Sequence, residues 1–118
     1  MLNTDPQTNC AAIRVLNDEL RRALPFPKPL GLLMMTRGLQ PLTVAKVSAL
    51  VVAIRDFKDF TPDNDPHGEH DFGAVEHDGV RYFWKIDAYD RALEFASPDP
   101  ADPAVTMRVL TIMRADEY

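Results

Sequence analysis

Between Asp63 and Asp78 the chain places six carboxylates, Asp63, Asp65, Glu69, Asp71, Glu76 and Asp78, together with all three of its histidines, His67, His70 and His77. No Lys or Arg interrupts them. Imidazole and carboxylate are the donors that zinc, manganese and iron(II) accept, and His67-Gly68-Glu69-His70-Asp71 sets four of them within five residues. A divalent ion held by His67, His70 and Asp71 could generate hydroxide near neutral pH, with Glu69 as general base, which is the chemistry of a small metal-dependent hydrolase. The spacing differs from the helical HExxH pattern, because the two histidines stand three apart beside Pro66 and Gly68, in a loop. A calcium loop fits only in part. Asp63, Asp65, Gly68 and Asp71 fall at its first, third, sixth and ninth places, but Ala74 stands where the bidentate Glu belongs.

Two other readings suit the same residues. Asn64, Asp65 and Pro66 are the residue types of an Asx turn, with Gly68 and Gly73 supplying unusual φ values and the carboxylates solvated or capping backbone. Alternatively Asp63, Asp65, His67, Glu69, His70 and Asp71 form an exposed acidic surface that meets a basic partner, charge setting the encounter rate and neighbouring aromatics the affinity. Nucleophilic chemistry has less to work with. Ser48 falls in a helical pattern, Ser97 precedes a proline, and no G-x-S-x-G elbow occurs. Cys10 has no basic neighbour before Arg14. Asp71-Phe72-Gly73 lacks the glycine-rich loop and catalytic loop of a kinase. Lys85, Asp87, Tyr89 and Asp90 mix polar and aromatic groups, either lining a cleft with His67 or His70 or lying on an exposed sheet face.

The elements that position these groups follow from pattern. At 118 residues, 46% hydrophobic and 26% charged, residues 1–118 make a single globular domain that folds without disulfide or structural metal, with residues 1–8 expected to be flexible. Charge is divided unevenly: residues 1–60 carry 8 Lys+Arg against 5 Asp+Glu, and residues 61–118 carry 5 against 13. The acidic balance argues against binding duplex DNA, which rests on phosphate neutralisation. Arg14, Arg21, Arg22, Lys28 and Arg37 read as a solvated face. One cysteine, no apolar run of spanning length and no signal-like N-terminus point to the cytoplasm and away from the membrane.

Ile13, Leu16, Leu20 and Leu24 predict an amphipathic helix, started at Asp5-Pro6 or Thr8 and stopped by Pro25, Pro27 and Pro29. Leu30–Thr36 reads as a buried strand, and Thr43–Phe57 as a second helix on the stripe Val44, Val47, Leu50, Val51, Ile54 and Phe57. After the loop Thr61–Gly68, Phe72–His77 and Val80–Asp87 flank Asp78-Gly79, the pattern of a hairpin whose Tyr82, Trp84 and Ile86 face the core. Leu93–Ala96 is expected as a further strand. Asp102-Pro103 is expected to cap a last helix, Val105–Ala115. The expected fold is α+β: an antiparallel or mixed sheet of about four strands, in the order α-β-α-β-β-β-α, covered by helices.

FTPDNDPHGEHDFG (Phe60–Gly73), FWKIDAYD (Phe83–Asp90), SPDPADPAVT (Ser97–Thr106) and the ending RVLTIMRADEY resemble a family of small bacterial proteins classed as a domain of unknown function and labelled plasmid-related. The resemblance runs from Ile13 onward. It implies a setting in plasmids and other mobile elements, beside genes for maintenance or for evading host defence, and it carries over no functional residues. The expectation is therefore a non-enzymatic accessory protein that binds a basic or nucleic-acid-associated protein, such as a host defence complex, with no resident cofactor. A metal-dependent hydrolase built on residues 63–71 is the alternative.

Overall fold

The computed structural model describes residues 6–118. The expected start signal at Asp5 and most of the segment 1–8 lie outside the described residues; helix α1, Pro6–Arg22, has Pro6 in its first turn, where a missing amide costs nothing. A turn through Pro25, Pro27 and Pro29 leads into β1, Gly31–Met35. Helix α2, Val44–Arg55, is capped by Thr43, whose Oγ1 accepts from Lys46 N at 3.2 Å. Val44, expected on the buried stripe, is exposed in the first turn, while Leu50, Val51 and Ile54 carry the burial.

The hairpin forms as its sequence requires. Strands β2, Phe72–His77, and β3, Val80–Tyr89, meet at Asp78-Gly79, both at positive φ (52° and 75°), the combination a tight two-residue turn needs. Tyr82, Trp84 and Ile86 point inward and are 7% exposed or less.

Two expected elements are corrected. The segment expected as a last helix is strand β4, Met107–Arg114. It sits in the interior of the sheet, parallel to β1 and antiparallel to β3, in the order β1-β4-β3-β2. A central strand can bury both faces, so Val109, Leu110, Ile112 and Met113 form a nearly continuous apolar run that periodicity cannot separate from a buried helix. Asp102 and Pro103 do start a helical turn, with Asp102 Oδ1 accepting from Ala104 N at 2.9 Å, but it is a single 3-10 turn, Pro103–Val105. Leu93–Ala96 is not a strand. It is an exposed turn with Leu93 at φ 60°, tied to the sheet by one bridge between Tyr89 and Ala96.

The result is an α+β fold of two helices and a four-stranded mixed sheet. Both helices pack on one face, over Leu33, Tyr82, Trp84, Ile86, Leu110 and Ile112. Trp84 is fully buried, with Phe57 and Phe60 edge-on at 5.5 and 6.1 Å. Each such side chain contributes about 1.5–3 kcal/mol by leaving water.

Candidate functional site

The loop from Thr61 to Asp71 is built from its own side chains first. Asn64 Oδ1 accepts from Thr61 N at 2.8 Å, Asn64 Nδ2 donates to Asp59 O at 2.9 Å, and Asp65 N donates to Thr61 O at 2.8 Å. With Asn64 N donating to Thr61 Oγ1 at 3.3 Å, Thr61 and Asn64 form a reciprocal pair like a capping box, in place of the expected Asx turn. Gly68 has φ +65° as expected. Gly73 plays a different part: it is a buried strand residue whose missing Cβ leaves room for the Trp84 indole, with Cε2 only 2.7 Å from where that Cβ would stand.

One polar face of α1 then clamps the loop. Arg14 NH1 donates to Gly68 O at 3.1 Å and Asn17 Nδ2 to Glu69 O at 3.0 Å. Asp18 Oδ1 lies 2.9 Å from His70 Nδ1 and accepts from Arg21 NH2 at 3.1 Å. Arg21 in turn donates to Arg55 O at 2.7 Å and Ile54 O at 3.3 Å, satisfying carbonyls at the C-terminal end of α2. His70 stacks on Phe60 with ring centroids 3.8 Å apart and planes 3° from parallel. Asp65 is buried, with Oδ1 accepting from His70 N at 3.1 Å and Oδ2 3.6 Å from His70 Nε2.

This corrects two expectations. The acidic residues are not one exposed surface: Asp63 and His67 are exposed, Asp65 is buried, and Glu69, His70 and Asp71 are half-buried. Nor are the five basic residues one solvated face: Arg21 is 2% exposed and Arg14 half-buried against the loop, while Arg22, Lys28 and Arg37 are exposed. The signal for this was the spacing 14, 17, 18 and 21, a second helical stripe made of hydrogen-bonding groups.

His67, His70 and Asp71 are not gathered as ligands. Among the described residues no group of three or more His, Cys, Asp or Glu side chains stands together in a way that could hold an ion. His70 is engaged by Asp18 and Asp65, and His77 lies at the far end of β2 near Asp78 Oδ2 at 3.6 Å. The local electrostatics are those of partial burial. Burial, helped by Asp71, raises the Glu69 carboxyl above its ordinary range; burial, helped by Asp65, does the same to Asp71. Arg108, 2% exposed, is lowered by burial; its Nε donates to Asn17 Oδ1 at 2.8 Å and its NH2 to Pro100 O. Sequence reasoning missed Arg108 because it was placed in a helix.

The second surface is the face of the sheet turned away from both helices. Strand alternation puts Leu32 and Met34 of β1, Val109, Thr111 and Met113 of β4, and Phe83, Lys85, Asp87 and Tyr89 of β3 there. A groove of about 480 Å³ crosses it, lined by Leu32, Met34, Tyr89, Leu93, Val109 and Met113 and bordered by Lys85 and Asp87. Lys85 Nζ meets Asp87 Oδ2 at 2.9 Å along the strand, and this hydrogen bond raises the lysine pKa. Beside the groove Phe72, Phe83 and Tyr118 form an aromatic cluster with centroids 5.1 to 6.0 Å apart. Lys85, Asp87 and Tyr89 thus share the exposed sheet face, whereas His70 packs against α1, so they line no common cleft with it. The surface can hold an apolar segment and fix its direction through the Lys85–Asp87 pair.

Among the described residues no helix is long and apolar enough to cross a membrane. No curated protein and no solved structure matches the chain. A family pattern does match, over residues 35–117, which takes in α2, the clamped loop and strands β2 to β4 and leaves out α1. The chain belongs to that family, the proteins of unknown function designated DUF3768.

Proposed function

We propose that this protein is a non-enzymatic accessory factor of bacterial mobile elements that binds another protein through the open face of its sheet. The observation that carries the reading is the groove across that face, apolar along its floor, bordered by a charge pair and left uncovered by either helix. Interfaces of this composition, an apolar centre with aromatic neighbours and a polar border, are where binding energy concentrates. The acidic loop is not the contact surface in this reading. His70 and the backbone carbonyls of Gly68 and Glu69 hold the loop to α1, and Asp65 holds His70.

The partner is a basic, nucleic-acid-associated protein, such as a component of a host defence or nucleic-acid-processing complex. The carboxylates of residues 61–118, 13 against 5 cations, favour encounter with a basic surface. Genomic setting, as implied by the family resemblance, supports anti-defence or plasmid maintenance as the purpose, in the cytoplasm. No observation favours the metal-dependent hydrolase.

The test is retrieval of basic host proteins by the tagged chain and by two variants. Met34→Lys with Leu93→Lys changes the groove, and the two side chains are 55% and 45% exposed, so the melting temperature should hold while capture falls at least tenfold. Asp63→Lys, on the exposed tip of the loop, should capture as the parent does. Equal capture by the groove variant would overturn the proposal.

A further inference from the structure

The floor of the open-face groove belongs to a strand with no backbone bond left to offer. β4 is paired on one side to β1 and on the other to β3, and β3 in turn to β2, so the N–H and C=O groups of both interior strands are used within the sheet. Only side chains are presented. Val109 and Met113 are buried along the floor, between the more exposed Met34 and Leu93. A segment lying there in extended form would press its own backbone groups against apolar side chains, with no partner for them. A helix closes those bonds within itself.

Size agrees. From Leu32 and Met34 on β1 to Lys85 and Asp87 on β3 the groove crosses two strand spacings, about 10 Å, which is the diameter of a helix with its side chains. From Val109 to Met113 it follows about 13 Å of strand, two to three helical turns. Met34 and Met113 suit an occupant with bulky apolar residues, because an unbranched side chain repacks around them. Charge narrows the choice further. At the Leu93 end Asp87 is matched by Lys85 and lies close enough to Asp71 to raise its carboxyl. Arg91 donates to Thr106 O at 3.4 Å, and Asp90, whose Oδ1 accepts from Glu94 N at 3.0 Å, bonds no cation among the described residues, nor does Glu94. At the Thr36 end Arg37 and Arg114 are balanced by Asp116 and Glu117. The excess is acidic and lies beside Leu93. On the reading that the open face binds protein, we infer that the segment it takes is an amphipathic α-helix of the partner, two to three turns long. It lies with its apolar side on Val109 and Met113 and with basic residues towards the Leu93 end.

The experiment is selection from displayed peptide libraries against the full chain, with peptides of about 14 residues. One library places Leu, Phe or Met at i, i+3, i+4 and i+7 with Lys and Arg elsewhere; a second keeps that spacing with Glu in place of the cations; a third alternates apolar and basic residues as a strand does. Binders should come from the first library, shift the methyl resonances of Met34 and Met113, and gain helical circular dichroism on binding. A central proline should weaken them about a hundredfold. Met34→Lys with Leu93→Lys should weaken them at least tenfold at an unchanged melting temperature. Strand-patterned or Glu-bearing peptides that bind at Met34 and Met113 in preference would overturn the inference while leaving the face a protein site. Binders from no library would overturn the inference together with the reading beneath it. A parent chain that light scattering shows as a dimer, made monomeric by the double variant, would give the face to a second copy and overturn the inference as well.

Discussion

His70 Nδ1 lies 2.9 Å from Asp18 Oδ1, joining a loop and a helix that are 52 residues apart in the chain. Through Asp18 the contact continues to Arg21 and the end of α2, and through His70 to the buried Asp65. The acidic loop is therefore a latch between α1 and the hairpin. Its residue types suit a metal site, but His70 and Asp65 are engaged in contacts within the fold.

Replacing His70 should loosen that latch in a way that depends on backbone as well as side chain. The residue sits at φ 54°, a conformation that costs a β-branched residue about 1–2 kcal/mol more than glycine. His70→Gly should lower stability by about 1–2 kcal/mol through the lost contacts. His70→Val should lower it further, as read from urea unfolding midpoints. Equal loss in the two variants would show that the left-handed backbone is not imposed by the fold.

Burial raises the Asp71 carboxyl above its unfolded value, and the sign of the pH effect follows. A group whose folded pKa is raised favours the folded state while protonated, and that contribution is lost as pH rises through the folded pKa. At neutral pH the buried charge is a cost. Asp71→Asn should therefore raise the melting temperature at pH 7, with the gain shrinking as pH falls through the ordinary carboxylate range. Glu69→Gln should behave alike, more weakly, because Glu69 is the less buried of the two.

Gly73→Ala should be among the costlier single-methyl additions. The new Cβ would meet the indole of Trp84, which is fully buried and cannot retreat. Overpacking of this kind costs about 1–3 kcal/mol. Calorimetry should give the loss, and a changed tryptophan emission should place it at Trp84.

Arg108 and Asn17 should behave as a coupled pair. Arg108→Met leaves Asn17 Oδ1 and Pro100 O without their donor in a buried setting, a loss of about 2–3 kcal/mol. Arg108→Met with Asn17→Leu removes both partners and should cost less than the sum of the single changes. Strict additivity in the double-mutant cycle would deny the coupling.

The sequence made part of this architecture legible. Both helices carry amphipathic or capping signals, and Asp78-Gly79 marks the hairpin, because those features are local. β4 was not legible. Its burial on both faces erases the alternation that distinguishes a strand, and its parallel partner β1 lies 77 residues earlier, Gly31 facing Arg108. Leu93–Ala96 carries strand-like residue types, yet Leu93 at φ 60° breaks the extended backbone. The loop's chemistry was visible as donor types, while its use depended on Arg14, Asn17 and Asp18, about 50 residues away. The groove could not be read at all, since its lining comes from β1, β3 and β4 together.

Whether the open sheet face binds another protein is decided by a photocrosslinking residue placed at Lys85 in the bacterial host, beside one at Ser48 on the exposed side of α2. Lys85 lies on β3, two strands from the β1 edge. Binding at the open face gives one heterologous adduct of a basic protein from position 85, absent from position 48 and lost with Leu93→Lys. Adducts from position 48 alone, or a position 85 that captures nothing while position 48 does, would contradict it.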